Sequence, residues 1–351
     1  MILHKKTILP AEWAPQDAIL LCWPHESMDW EPILAQVEPV FDQIAAAITG
    51  SESLIIIAHD RQHQSAISQR LNLKGLNQKS IHWLLHPNND TWCRDFGPII
   101  ISRNNQTIAL DFQFNGWGNK FEFDADNQLT AELKKQQLLN CDVEAVSLVL
   151  EAGSIESDGE GTLLTTEKCL LSASRNPLLN KQQIENQLNT QLGCERILWL
   201  KNGQLEGDDT DSHIDNLARF CSSDTIAYAS CDDYNDPHYQ WLKLMEAELK
   251  QFRTTNNLPY ELIALSIPKP LYDDGQRLAA SYVNFLITNR LVLVPTFNDP
   301  NDEINLDKLQ SVFTDRKVIA IPCSDIVKQS GAIHCLTMQL PANSLKDKLR
   351  N

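Results

Sequence analysis

The sequence predicts an α/β fold built on a repeat, and three observations predict it. Short apolar runs rich in branched residues alternate with longer stretches of helical spacing. Four segments share one shape, an apolar arm, a polar turn and a second apolar arm. No Gly/Ser-rich or Pro-rich linker divides the 351 residues, so the expectation is one domain, residues 1–351, with pseudo-symmetry about a central axis.

The runs Ala18–Trp23, Leu54–Ala58, Ile81–Leu85, Arg196–Leu200 and Val318–Ile321 are too short for helices and read as buried strands. Between them Pro32–Ile48, Gln62–Leu71, Leu129–Leu139, Leu178–Leu192, Pro237–Phe252 and Asn305–Phe313 combine helical spacing with good helix formers. The repeated shape is GPIIISRNNQTIALDF from Gly97, SIESDGEGTLLTT from Ser154, HIDNLARFCSSDTIAYA from His213 and SYVNFLITNRLVLVPTF from Ser281, with starts 57, 59 and 68 residues apart. This quasi-period lies just above that of propellers and repeat arrays. A fifth unit would pair the run near Ala18 with the one near His334 and close a ring. Four chance hairpins in a mixed α/β chain are the plainer alternative.

Composition narrows the function. Thirty Lys+Arg against 46 Asp+Glu leave a net charge of −16, a field that repels phosphate backbones and suits a small cation, so no nucleic acid partner is expected. Nine cysteines without C-x-x-C spacing argue against a disulfide framework and a structural zinc, and point to a reducing compartment. The start, MILHKKTILPAEWAPQ, lacks the apolar stretch of a secretory signal, and runs such as Ser53–Ala58 fall far short of a membrane span. A cytoplasmic protein without a membrane partner is the expectation; a homo-oligomer is compatible with the sequence.

Chemistry-bearing residues recur at one phase of the repeat. Asp95 precedes the first hairpin, Glu151 the second, His213 and Asp215 open the third, Asn284 lies in the fourth and Cys335 in the last strand. In a ring of equivalent units, equal phase means one end of the axis, so these side chains would converge on a pocket. Each has a plainer reading. Asp95 is presented by a loop closed with Gly97-Pro98 or pairs with Arg94; Glu151 ends an apolar run or lies on the surface. His213 and Asp215 share one face of an extended backbone, in an acid/base site, a metal loop or a solvated acidic turn. Cys335 is by its surroundings an inert core thiol. Phosphate-loop, dinucleotide, nucleophile-elbow and zinc-protease signatures are absent from the sequence. His59 and His63 read as a polar helix start.

Six motifs in order, TWCRDFGP from Thr91, FNGWG at 114–118, LEAGSIESDGEGTLLTT from Leu150, GDDTDSHIDN from Gly207, SYVNF from Ser281 and AIHC ending at Cys335, make the chain resemble the agmatine deiminases. These belong to the guanidine-modifying group that includes bacterial-type peptidylarginine deiminases. The resemblance implies the pentein fold, a five-bladed α/β propeller, and a thiol-dependent hydrolysis of a guanidinium, most simply agmatine, with no metal or cofactor. Carried over, it makes Cys335 the nucleophile, His213 the general acid/base and Glu151 a further acid near the imidazole or substrate. Asp95 and Asp215 would grip the guanidinium, with Trp92, Asn284, Trp117 and Asp209 among the substrate contacts.

Four departures stand out: Glu151-Ala152-Gly153, Gln329-Ser330-Gly331-Ala332 before the cysteine, Met338-Gln339-Leu340-Pro341 where the family has a glutamine-rich tail, and Asn119-Lys120 after FNGWG. They bear on loop mobility and on the distal pocket. The rival expectations are another guanidine, including peptidylarginine, amidino transfer to an amine, and binding without turnover.

Overall fold

In the computed structural model residues 7–350 are described; the first six residues of the start MILHKKTILPAEWAPQ, read above for a secretory signal, lie outside them. The four predicted hairpins are all present as antiparallel pairs. Ile99–Arg103 pairs with Gln106–Gln113, Ile155–Ser157 with Thr162–Thr166, Ala218–Phe220 with Thr225–Ser230, and Leu286–Ile287 with Leu291–Thr296. The fifth pair joins the chain ends, with Thr337–Pro341 antiparallel to Gln16–Cys22 and Met338 opposite Leu20.

Each hairpin then gains a parallel strand on the far side of a helix. Asp142–Val149, Arg196–Leu200, Glu261–Ser266, Lys317–Pro322 and Ser53–Ala58 take that place, after the helices Leu129–Lys135, Lys181–Leu192, Pro237–Leu249, Asn301–Val312 and Leu34–Thr49. The fifth unit adds Ile81–Leu85 beyond the helix Arg61–Leu73. The strand Ser53–Ala58, flanked on both sides, is Ser-Leu-Ile-Ile-Ile-Ala and is buried at every position.

The sequence-based boundaries shift where side chains intervene. The helix expected from Leu178 begins at Lys181 because Asn180 caps it: its Oδ1 accepts from the Gln183 N–H at 3.0 Å, and Gln183 Oε1 accepts from the Asn180 N–H at 2.9 Å. The helix expected through Leu139 stops at Lys135, two residues before Gln137 turns at φ 63°, and Leu138 and Leu139 are buried. His59 and His63 are a helix start: the Asp60 side chain caps the first turn by accepting from the His63 N–H, and His63 Nδ1 accepts from the His59 N–H.

One expectation is corrected. His334 and Cys335 do not lie in a strand but in the helical turn Ile333–Leu336, just ahead of Thr337–Pro341. Asn284 Oδ1 accepts both the His334 and the Cys335 backbone N–H, at 3.0 and 3.3 Å, which satisfies donors a strand partner would otherwise take.

Matching turns precede the first three hairpins: Cys93–Phe96, Ala152–Ser154 and Ile214–Asn216. Those of the first, second, third and fifth units pack against one another in succession. Four of the five units therefore deliver one short turn to a shared point, to which the fourth adds Asn284. Among the described residues, no helix is long and apolar enough to cross a membrane.

Candidate active site

The Cys335 thiol sits at the junction of three turns. Asn284 Nδ2 donates to its Sγ at 3.0 Å, and Sγ lies 3.3 Å from Asp215 Oδ2. Burial, followed by the negative charges of Asp215 and Asp95, pushes the thiol well above its usual pKa, while the Asn284 amide works the other way. The thiolate thus needs a positive partner in its pocket.

Asp215 is wholly buried. Its Oδ2 accepts from His334 Nδ1 at 2.8 Å, whereas Oδ1 has no hydrogen-bond partner. Burial would raise its carboxyl, yet the His334 hydrogen bond and the neighbouring positive groups hold it below the usual range. A buried carboxylate oxygen without a donor is costly unless a ligand supplies one.

Asp95 is fixed on both oxygens. Trp117 Nε1 donates to Oδ2 at 2.9 Å and the Gly153 backbone N–H to Oδ1 at 3.0 Å. Burial above all, then the charges of Asp215 and Glu151, push Asp95 up to about 6, against the pull of His213 and Trp117. Trp117 itself takes a left-handed φ of 54° between Gly116 and Gly118, which aims its indole inward, where Phe114 packs on it edge-on at 5.0 Å.

His213 is wholly buried with neither ring nitrogen hydrogen-bonded, its Nδ1 3.7 Å from Asp95 Oδ1. Burial disfavours its charge, but Asp95, Cys169 and Glu151 around it hold the imidazole well above its usual pKa. It is a proton donor awaiting an acceptor. Gly153 leaves the space: a Cβ there would stand 2.7 Å from Asp95 Oδ1, 2.8 Å from His213 Nδ1 and 3.1 Å from Asp215 Oδ2.

Glu151 faces a residue that sequence reasoning missed. Both of its oxygens accept from Arg175 Nε at 2.9 Å, and Arg175 also donates to Asp211 Oδ2 at 2.6 Å and to the Thr210 carbonyl. Glu151, Cys169 and His213 offer ligand atoms within 4.8 Å of one another. Both Glu151 oxygens are already spent on a guanidinium, so the trio is a poor cage for a metal ion.

A cavity of ≈ 180 Å³ opens over the thiol and is lined by Cys335, Asp95, Trp92, Trp117 and Asp209. Five predicted site residues thus share its wall. His213 and Asp215 lie against two of these residues, Asp95 and Cys335, Glu151 is wholly buried, and Asn284 spends its amide on the thiol and the 334–335 backbone. Asp29 and Asp90, which no motif marked, line the cavity beside Asp209. Burial pushes Asp90 up to about 7 and Asp209 to about 6, each helped by neighbouring acids. The loop with sparse glycines also contributes: Gly331 lies under Trp92, where a Cβ would come within 2.3 Å of the indole.

Beneath the thiol lies a second layer of charge. His334 Nε2 is 2.7 Å from Glu12 Oε1, and Glu12 also bonds Arg94, Arg219 and Gln339. Arg219 continues to Glu156 and the Phe285 carbonyl. A charge inside an apolar run, as in Leu-Ala-Arg219-Phe-Cys, was the readable signal for this layer.

The profile of the Porphyromonas-type peptidyl-arginine deiminases matches residues 8–341. The chain belongs to that family. Its relatives include the Marinomonas protein named "Putative agmatine deiminase", 36% identical over 95% of this chain and 94% of the relative. Among solved structures, a C. jejuni agmatine deiminase variant with substrate bound superposes with TM-score 0.91 at 36% identity, covering 99% of both chains. The Porphyromonas gingivalis structure called "Putative Arginine Deiminase" gives TM-score 0.90 at 42% identity, over 97% of this chain and all of that one. At such likeness the five repeated units are those of the guanidine-modifying deiminase fold.

Proposed function

We propose that this protein hydrolyses agmatine to N-carbamoylputrescine and ammonia, with residues 1–351 acting as one catalytic domain. The observation that carries the reading is a buried thiol between two carboxylates, Asp95 and Asp215, one with an unpartnered oxygen, under a cavity rimmed by further acids. Family membership and the relatives' names support the choice of agmatine.

A guanidinium is planar, permanently charged and offers paired N–H donors. Asp95 and Asp215 accept those donors in charge-assisted bonds and set the guanidinium carbon over Sγ. The ligand's charge offsets the negative field that holds the thiol protonated, so binding favours the thiolate where it is needed. Trp92 and Trp117 flank the aliphatic chain, and Asp209, with Asp90 and Asp29, receives the far ammonium.

Attack by Sγ gives a tetrahedral adduct. His213, charged in the resting site, protonates the departing nitrogen, ammonia leaves and an amidino-thioether of Cys335 remains. The now neutral imidazole takes a proton from water, the hydroxide adds to the same carbon, and Sγ departs as the ureido product forms. Glu151, held by Arg175, stands beside His213 in both steps.

The test is ureido-product formation from agmatine, from free arginine and from an arginine peptide, with Cys335→Ala as control. Turnover of agmatine that Cys335→Ala abolishes is the expected result. Preference for arginine or the peptide would move the substrate to those guanidines. Binding of all three without product would make the chain a guanidine-binding protein.

A further inference from the structure

We infer that His334, backed by Glu12, is a positioning residue of the reaction: it orients Asp215 and sets the charge that Cys335 meets. The inference rests on the reading of Cys335 as nucleophile and assigns work to two residues outside the cavity's chemistry.

The geometry is a continuous chain. Cys335 Sγ lies 3.3 Å from Asp215 Oδ2, the same oxygen lies 2.8 Å from His334 Nδ1, and His334 Nε2 lies 2.7 Å from Glu12 Oε1. His334 and Asp215 are completely buried. A neutral imidazole carries one N–H, whereas here both ring nitrogens face carboxylate oxygens. Both contacts are hydrogen bonds only when the chain from Glu12 to Asp215 holds a second proton, which burial, Arg219 and Arg94 oppose, lowering the imidazole's pKa on balance, and which Glu12 and the Asp215 bond favour.

The Nδ1–H that His334 donates to Asp215 has two effects. It covers the negative charge on Asp215 Oδ2, the oxygen nearest the thiol, and so eases ionisation of Sγ. It also pins the carboxylate, leaving Oδ1 as the oxygen open to a guanidinium donor. The charged groups facing the chain are Arg94, Arg219 and Glu156 on the Glu12 side and His213 and Asp95 on the other. Glu12 touches both arginines, so it is the anion that opposes their effect on the imidazole. His334 is adjacent to Cys335 in sequence, so the same helical turn fixes both.

The experiment follows the rate of Cys335 alkylation by iodoacetamide against pH, alongside kcat and KM for agmatine, in the parent, Glu12→Gln and His334→Asn. Gln at 12 keeps the shape and removes the charge; Asn at 334 keeps a donor near the Nδ1 position and loses the link to Glu12. The alkylation inflection is expected to move up by about one pH unit in both, with kcat down about tenfold and KM changed less, the scale of one hydrogen bond to a charged group. A second expected result is that His334→Asn retains more activity than His334→Ala, because only the latter strips Asp215 of its donor. Profiles that superimpose on the parent's, with kcat within twofold, would overturn the inference. If Glu12→Gln fails to fold, because it also holds Arg94 and Arg219, His334→Asn decides alone. A parent whose Cys335 is alkylated normally but does not turn over agmatine would instead overturn the proposed substrate, since alkylation is read without it.

Discussion

A side chain at Gly153 would stand against His213: an added Cβ falls 2.8 Å from its Nδ1. The same point is 2.7 Å from Asp95 Oδ1, and the Gly153 N–H already donates to that oxygen. Gly153 is thus both a donor to the site and the gap that lets its charges face each other.

Gly153→Ala is therefore expected to cut kcat/KM by about 100-fold, the order that displacement of reacting groups by ~1 Å costs. Its φ is not left-handed, so the backbone itself tolerates alanine and the melting temperature should change little. Steady-state kinetics beside a thermal melt checks this; full activity in the variant would mean that the three groups relax freely.

Asp95 gives the acid limb of the pH profile. Its folded value of about 6 means the carboxylate is lost as pH falls through that value, so kcat/KM should fall on the acid side with an inflection near 6. Trp117→Phe removes a donor to the charged form, which raises the Asp95 value further. The inflection should then move to higher pH, and a profile unchanged by the substitution would show that the limb belongs to another group.

Asp209 is also raised, to about 6, by burial and by Asp208. Asp209→Asn should raise KM for agmatine by about tenfold, as loss of one charge-assisted bond would, with a smaller effect on kcat. In the parent KM should fall as pH rises through 6, because the carboxylate that meets the ammonium forms there. Equal KM values for parent and variant at pH 7.5 would remove Asp209 from the substrate contacts.

Arg175→Met leaves Glu151 and Asp211 without their guanidinium. Arg175 and Glu151 have no exposed side-chain surface, so breaking the pair should cost about 3–5 kcal/mol of stability. Denaturant unfolding measures it; a loss below about 1 kcal/mol would show that water replaces the arginine.

The five hairpins were legible because each of the first four is local: two apolar arms and a polar turn within 13 to 17 residues specify an antiparallel pair by themselves. Equal phase then marked Asp95, Glu151, His213, Asp215, Asn284 and Cys335 as neighbours before any coordinates. The turn that carries Cys335 was misread as strand because Ala-Ile-His-Cys-Leu runs apolar into Thr-Met-Gln-Leu, and such runs have no decisive period. Asn284, about 50 residues upstream, caps those N–H groups, and no local pattern reveals that.

The sequence by itself determined the repeat, its hairpins and most of its helices, and the residue types delivered to the centre, because these depend on hydrophobic spacing and turn chemistry over a few residues; the parallel strands Asp142–Val149 and Glu261–Ser266 carried no such signal. Only the tertiary structure decided which charge meets which. Arg175 falls to Glu151, Asn284 to the thiol, Glu12 to His334, and Gly153 into the gap beside His213, through contacts between residues 24 to 322 positions apart. The physical reason is that ion pairs and hydrogen bonds are set by position to within tenths of an ångström. That position follows from how five sheets pack, not from the neighbours along the chain.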